Sequence, residues 1–478
     1  MNFRMIGQVV GRVLCIEAAL MLLPMIAALV YDESPVPFLI TIAVTGGIGL
    51  VMWRVRAKSA GMTARDGFLI VGLSWIAMSL FGALLFVLTG DIPNYIDALF
   101  ETISGLTTTG ASVVTSPESM TRGGMFWRLF THWIGGMGIL VFVLAVLPMS
   151  GNRSMHIMRA EVPGPTVGKL VPRIRKTASI LYLLYIALTL VETVLLVAGG
   201  MSFYDALLHA FATAGTGGLS TRALSIGYYN STYIDIVVGV FMILFGANFS
   251  LYYLILLGNI RTALRNEELR WFLGVIAFSV ITIAFDIRNL YGGVGHALRY
   301  SFFQVTSIIS TTGFATADFN LWPEYSKFLL VLLMFVGGCA GSTAGGLKVS
   351  RVMLLFKSCT IEVKKMLRPR CIEEVRLDGK PVDGQTVYNA LTYFTFIIIL
   401  LIAGLIVSLD GLDFTTNFTA ALSCLSNVGP GLSLVGPTGS FAIFSPLSKI
   451  VLMICMLLGR LEIFPLLLLF VPFTWRWK

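Results

Sequence analysis

Charge is scarce in this sequence. Asp, Glu, Lys and Arg make up 12% of its 478 residues, 56% are hydrophobic, and mean hydropathy is +0.85. A soluble domain carries about 25% charged residues, so the composition excludes an ordinary soluble fold and marks a polytopic membrane protein. Paired cysteines are missing too. Cys15, Cys339, Cys359, Cys371, Cys424 and Cys455 show no framework spacing and mostly lie in apolar runs. That is the habit of small core residues, not of disulfides or a zinc site. Histidine is limited to His132, His156, His209 and His296, which form no metal-ligand pattern. A cleaved leader is also not indicated. Arg4 precedes an apolar run, but the run from Ile6 to Val30 exceeds the roughly 7–15 residues of a signal peptide's apolar region. It reads as a first transmembrane helix.

What is present is a succession of apolar runs near the roughly 20 residues a spanning helix needs. Val9–Val30 and Pro37–Trp53 form a pair joined by an acidic link, Asp32 and Glu33. After them one unit recurs four times: long helix, half-length helix, glycine-bearing loop, long helix. Phe68–Leu88 and Phe126–Leu147 enclose the half helix Ile96–Leu106, and Ile180–Val197 and Ile234–Leu257 enclose Tyr204–Ala214. Trp271–Phe285 and Phe328–Phe356 enclose Ala297–Ile309, and Val387–Leu409 and Leu447–Phe470 enclose Phe414–Leu425. The loops are Thr107–Ala111, Gly215–Leu219, Ser310–Phe314 and Ser426–Pro430. Asp97-Ala98-Leu99 precedes Gly110 at the same 13-residue interval as Asp205-Ala206-Leu207 precedes Gly218 (97 to 110, 205 to 218). The four loop glycines stand 108, 95 and 116 residues apart (110 to 218, 218 to 313, 313 to 429). Such self-similarity marks an internal repeat. The expected organisation is an N-terminal helix pair over 1–60, then pore repeats over 61–150, 151–262, 263–372 and 373–478. The expected fold class is an all-α membrane protein, four pseudosymmetric repeats around a central pore, with about ten transmembrane helices.

The net charge of +9 is distributed as topology, not as a nucleic-acid footprint. Arg54, Arg56, Lys58 and Arg65 follow the first pair, and Arg153, Arg159, Lys169, Arg173, Arg175 and Lys176 separate units one and two. Arg261, Arg265 and Arg270 follow unit two, and Lys348, Arg351, Lys357, Lys364, Lys365, Arg368, Arg370, Arg376 and Lys380 follow unit three. The tail carries Arg476 and Lys478, while Asp32, Glu33, Asp91, Asp235, Asp318, Glu324, Asp410 and Asp413 fall on the other side. Basic loops stay in the cytoplasm. Both termini are therefore expected there, with the half helices and loops entering from outside.

Irregular backbone at membrane depth is tolerated only when buried in protein or lining water. Four such loops suggest one water-lined axis, where backbone carbonyls replace the hydration shell of a cation. Half helices pointing inward add favourable C-terminal dipole ends. None of the four loops contains Asp or Glu, which favours a dehydrated monovalent ion over a divalent one held by acidic rings. The expected ion ligands are Thr108, Thr109, Gly110, Thr216, Gly217, Gly218, Thr311, Thr312, Gly313, Asn427, Val428 and Gly429.

The segment Gly337–Gly346 interrupts an apolar run with Gly337, Gly338, Gly341, Gly345 and Gly346. Each glycine costs a helix about 1 kcal/mol relative to alanine, so the helix breaks. The readings are an intramembrane gate under the loops or close packing through small residues. A phosphate loop is a poor fit, since Leu347 occupies the lysine position. Arg460 lies inside the last apolar run, and an intramembrane arginine faces a cavity or a partner. It is expected in the cytoplasmic half of the pore as an electrostatic barrier, the alternative being a structural pair. Lys449 is expected to snorkel. Glu101, His209 and Gln304 fall at equivalent places on three half helices, nine residues before Gly110, Gly218 and Gly313; they tune the ion site or hold the loops. Glu192 is a relay or a helix contact. His132-Trp133-Ile134-Gly135-Gly136-Met137-Gly138 reads as tight helix packing. No nucleophile–base set appears near the axis, which leaves little room for an enzyme; a sensor without transport is the remaining alternative.

These motifs together resemble the Trk/Ktr/HKT superfamily of potassium transporters, over nearly the whole chain, and the extra N-terminal pair favours the bacterial Trk branch. The resemblance rests on the four loops, the segment His132–Gly138, the glycine segment and Arg460. It implies a fourfold pseudosymmetric pore in the bacterial cytoplasmic membrane, with potassium as the bound ion and no organic cofactor. It also implies a homodimer, and a cytosolic nucleotide-binding regulatory ring docked on basic loops that can equally meet lipid headgroups. Serine at the first filter glycine goes with sodium transport in the superfamily, so Gly110 implies potassium. The second loop departs from the pattern in being unusually glycine-rich, which bears on sodium discrimination. Channel and ion-coupled symport share these residues, and the sequence leaves that choice open.

Overall fold

A computed structural model describes residues 3–55, 64–138, 174–368, 374–382 and 392–461, together with 466 and 469. Helices α1 (Phe3–Leu20), α2 (Leu22–Val30) and α3 (Val36–Arg54) form the N-terminal group. A Cβ added at Gly11 would lie 2.6 Å from the Gly49 carbonyl oxygen. Small residues therefore let the backbones of α1 and α3 approach closely. Next come α4 (Ala64–Thr89), the half helix α5 (Tyr95–Leu106) and α6 (Arg122–Gly136). Unit two holds α7 (Ile174–Ala198), the half helix α8 (Phe203–Gly215), α9 (Thr232–Gly246) and α10 (Phe249–Leu256), followed by the short α11 (Ile260–Leu264). Unit three holds α12 (Glu267–Ile287), the half helix α13 (Val294–Ile309), α14 (Glu324–Met334) and α15 (Val349–Leu367). A hairpin of β1 (Arg376–Leu377) and β2 (Lys380–Pro381) precedes α16 (Thr392–Val407), the half helix α17 (Phe414–Ser426) and α18 (Pro446–Arg460).

Among the described residues, Phe3–Val30, Val36–Arg54, Arg65–Thr89, Ser179–Ala198 and Glu267–Ile287 are long and apolar enough to cross a membrane. The half helices are not. They have 12, 13, 16 and 13 residues, or about 18–24 Å at about 1.5 Å per residue, short of the roughly 30 Å hydrocarbon core. Three of them start at side-chain caps, where Asn94, Ser202 and Asp413 accept from the amides of Ile96, Asp205 and Thr416. Their C-terminal halves are buried, Phe100–Leu106 and Thr419–Ser426 among them. The surrounding helices show apolar side chains outward, such as Phe278, Phe285 and Leu405, a surface suited to lipid.

Two expectations need correction. The run Ile234–Leu257 is not one helix. It breaks at Ala247–Asn248, and α9 and α10 diverge by 93°. Asn248 caps α10 by accepting from Ser250 N, and the glycine segment of unit three satisfies backbone groups at the break. Cys339 N donates to Gly246 O at 2.9 Å, and Phe249 N donates to Gly341 O at 3.0 Å. Lys449 does not snorkel: its ammonium lies 2.6 Å from Asp97 Oδ1 on α5. Parts of some expected helices lie outside the described residues: Phe126–Leu147 beyond 138, Val387–Leu409 before 392, and Leu447–Phe470 beyond 461 except for 466 and 469. So do the basic segment up to 173, Arg476 and Lys478.

The segment His132–Gly138 packs α6 against two half helices. A Cβ at Gly135 would overlap the Leu106 carbonyl, and one at Gly136 would lie 2.6 Å from Gly215 Cα. By contrast, Gly404 on α16 has open space beside it. Gly135→Ala is expected to lower the unfolding midpoint and the monodisperse yield in detergent. Gly404→Ala is expected to hold or raise stability, by up to about 1 kcal/mol. Equal behaviour of the two variants would contradict this packing.

Candidate functional site

The four half helices end in one repeated backbone pattern. Thr108, Thr216, Thr311 and Asn427 adopt left-handed φ of 57°, 56°, 59° and 53°, and Gly110, Gly218, Gly313 and Gly429 have φ of 81°, 71°, 84° and 102°. The amide between each pair closes its half helix. Thr109 N, Gly217 N and Thr312 N donate at 2.9 Å to the carbonyls of Ser104, Ala212 and Ser307, and Val428 N at 3.0 Å to that of Ser423. This is the six-to-one bond of a Schellman cap. Left-handed non-glycine residues cost about 1–2 kcal/mol each, and the cap bonds help to offset that.

The loops meet each other in a closed cycle. A Cβ on Gly110 would overlap the carbonyl oxygen of Gly217, and one on Gly218 that of Thr312. A Cβ on Gly313 would overlap the carbonyl oxygen of Val428, and one on Gly429 would lie 2.7 Å from that of Thr109. Each loop glycine thus touches the carbonyl of the next loop, and the fourth loop returns to the first. A cavity of about 160 Å³ is walled by all four glycines. No carboxylate lines it among the described residues; the two arginines that do, Arg128 and Arg222, are paired with Glu101 at 2.6 Å and Asp205 at 3.4 Å.

The left-handed residues link this ring to the glycine segment, whose residues 335–348 run irregularly between α14 and α15. Gly345 N donates to Thr311 Oγ1 at 2.8 Å, and Gly346 N to Asn427 Oδ1 at 3.3 Å. Asn427 Nδ2 donates to Thr109 Oγ1 and to Met456 O. Arg460 reaches the same level. It donates to Thr343 O at 2.7 Å, to Thr108 Oγ1 at 3.3 Å, and to Gly135 O and Gly136 O at 2.5 and 2.6 Å. Two further residues hold the segment, one of them Lys348, which is buried and not the loop base that its place in the basic run after unit three predicts. Glu268 on α12 accepts from Ala340 N at 2.6 Å, and Lys348 donates to the carbonyls of Ala344 and Gly345.

A profile of the TrkH cation transport proteins matches residues 37–476. The chain belongs to the TrkH family. It is 37% identical over 485 residues to the Trk system potassium uptake protein TrkH of Escherichia coli K12, covering all of both chains. It is 34% identical to TrkG of the same strain, covering 99% of each. The crystal structure of the potassium transporter TrkH from Vibrio parahaemolyticus superposes with a TM-score of 0.89, at 33% identity over the whole of both chains.

In this TrkH-family chain the equivalent residues Glu101, His209 and Gln304 bond to the loops behind the ring. Glu101 accepts from Val113 N at 3.0 Å and Ser112 Oγ at 2.9 Å, while Arg128 also donates to Ser220 O at 3.0 Å, bridging loops one and two. His209 Nε2 lies 2.8 Å from Ser220 Oγ, and Gln304 Nε2 donates to Ala317 O. In unit four Thr419 takes this part by accepting from Leu432 N at 2.9 Å. Glu192 is buried on α7 and is not among the residues walling the cavity. Arg128 is 3% exposed and Glu101 fully buried. Removing one partner of such a pair costs about 3–5 kcal/mol, so Arg128→Met is expected to lower the free energy of unfolding by that amount in detergent. A loss within the about 1 kcal/mol of a surface pair would show that the pair does not brace the loops.

Proposed function

We propose that this chain is a potassium uptake pathway of the bacterial cytoplasmic membrane. The ion sheds its water at the four-loop ring and takes oxygens from the segments Thr108–Gly110, Thr216–Gly218, Thr311–Gly313 and Asn427–Gly429. The observation that carries this reading is the closed cycle in which each loop glycine abuts the next loop's carbonyl. Such a ring offers neutral oxygens in fixed number, which suits a large monovalent cation. The absence of carboxylates from the cavity wall among the described residues and the potassium named in the relatives support the same ion. The half helices point their C-termini at the ring, adding favourable dipole ends.

Gly337–Gly346 and Arg460 form the gate in this reading. The segment hangs from the filter by Thr311 and Asn427, and Arg460 ties it to loop one. A guanidinium at this level opposes a cation leaving the filter until it swings aside. The basic side, with Lys357, Lys364, Lys365 and Arg368, faces the cytoplasm and meets lipid headgroups and a nucleotide-binding ring. Both termini lie on that side, and the working unit is a homodimer. The phrase "Trk system" in the relatives' names fits a membrane subunit with further components.

Gly313→Ser places a Cβ against Val428 O and is expected to reduce potassium-over-sodium selectivity at least about tenfold, or about 1.4 kcal/mol, in proteoliposome flux. Unchanged selectivity would remove Gly313 from the filter. Deleting Gly341–Ala344 or replacing Arg460 with alanine is expected to raise basal flux without a cytosolic partner. Flux at the unmodified level would rule out a gate there.

A further inference from the structure

Three loops carry a side chain just before the filter glycine: Thr109, Thr312 and Val428. In two of them it bonds back to the hydroxyl two residues earlier. Thr109 Oγ1 lies 2.8 Å from Thr107 Oγ1, and Thr312 Oγ1 lies 2.7 Å from Ser310 Oγ. Loop two lacks both members of this brace, since Gly215 and Gly217 stand in their places. Two extra glycines widen the conformations open to a chain, yet Thr216 and Gly218 keep the φ values of the other loops.

The space beside them is filled from α6. A Cβ at Gly217 would overlap the imidazole of His132, with Cε1 at 2.5 Å, and one at Gly215 would overlap the His132 carbonyl. His132 is fully buried. Its Nδ1 lies 2.8 Å from Gly105 O on α5, and Leu219 N donates to its Nε2 at 3.4 Å. A carbonyl only accepts and an amide only donates. The ring is therefore neutral, with its proton on Nδ1. It spans from the half helix of loop one to the backbone of loop two, behind the seam where Gly110 meets the Gly217 carbonyl.

We propose that His132 is a positioning residue that sets ion specificity. It supplies from α6 the wedge that Thr109 and Thr312 supply within their own loops, and so holds the Gly217 carbonyl in the ring. The glycine-rich loop is then not a looser filter but half of a two-part fit, with the histidine as the other half. This rests on reading the four loops as the filter.

The test is a reciprocal exchange, with potassium and sodium fluxes measured in proteoliposomes of the full chain. His132→Ala is expected to lower potassium-over-sodium selectivity at least about tenfold, or about 1.4 kcal/mol. His132→Asn keeps a donor near the Nδ1 position and is expected to lose less. Gly217→Ser alone meets the imidazole and is expected to lose folded yield or flux. His132→Ala with Gly217→Ser gives the serine the vacated space and is expected to recover selectivity beyond either single variant, which a general packing role would not produce. Wild-type selectivity in His132→Ala, or a double variant no better than its worse single variant, would overturn the proposal. If His132→Ala does not fold, recovery of folded, selective protein in the double variant supports the proposal, and its failure overturns it. Gly313→Ser separates the two readings. If it shifts selectivity and His132→Ala does not, the filter stands and His132 falls; if neither does, the filter reading itself falls.

Discussion

A backbone amide or carbonyl in hydrocarbon must be satisfied inside the protein, and four non-helical loops at the centre of this chain meet that demand together. Each loop first closes its own half helix through one six-to-one bond. Each then sets its glycine against the carbonyl of the next. The outer helices matter because they hold the four half helices at the angle that lets the cycle close. Arg128 and Glu101 show how tightly: one buried pair serves loop one through Val113 and loop two through Ser220. A loop displaced alone would lose its close contacts on both sides, so the ring behaves as a unit.

The same economy joins the loop ring to the glycine segment. Thr108, Thr311 and Asn427 give their backbones to the ring and their side chains to Arg460, Gly345 and Gly346. Glu268 holds the segment at Ala340, and the break between α9 and α10 receives Cys339 and Gly341. A hydrogen bond of this kind contributes about 0.5–1.5 kcal/mol net, more when charged. Moving the segment, as the proposed gate requires, means exchanging a handful of such bonds. Arg460 has the largest share, because its guanidinium touches three separate stretches of chain.

Much of this was legible in the sequence for a plain reason: polar glycine-bearing loops stand out between apolar runs, and fourfold repetition separates them from chance. The half helices fall within three residues of where spacing places them, and the density of glycine announces the break that follows Met334. The break at Ala247 is hidden, because Ile234–Leu257 is apolar apart from Asp235, Asn248 and Ser250, and only Gly246 followed by the capping Asn248 marks it. Lys449 was misread because its partner Asp97 stands 352 residues away, and no local pattern encodes a pair at that distance. Arg460 was legible as a charge in need of partners, but its partners include three carbonyls, which every residue carries and no sequence pattern singles out. His132 lies within a motif whose glycines explain themselves by packing, and the room for its ring is left by Gly215 and Gly217, more than 80 residues on (132 to 215, 132 to 217), which no local pattern encodes.

The account depends on the ring being where the ion sits. Anomalous diffraction from crystals of this protein grown in thallium, a scattering substitute for potassium, tests that most directly. The account predicts an anomalous peak enclosed by Gly110, Gly218, Gly313 and Gly429, displaced when excess potassium is added. A ring without a peak, or a peak elsewhere in the molecule that potassium displaces, would contradict it.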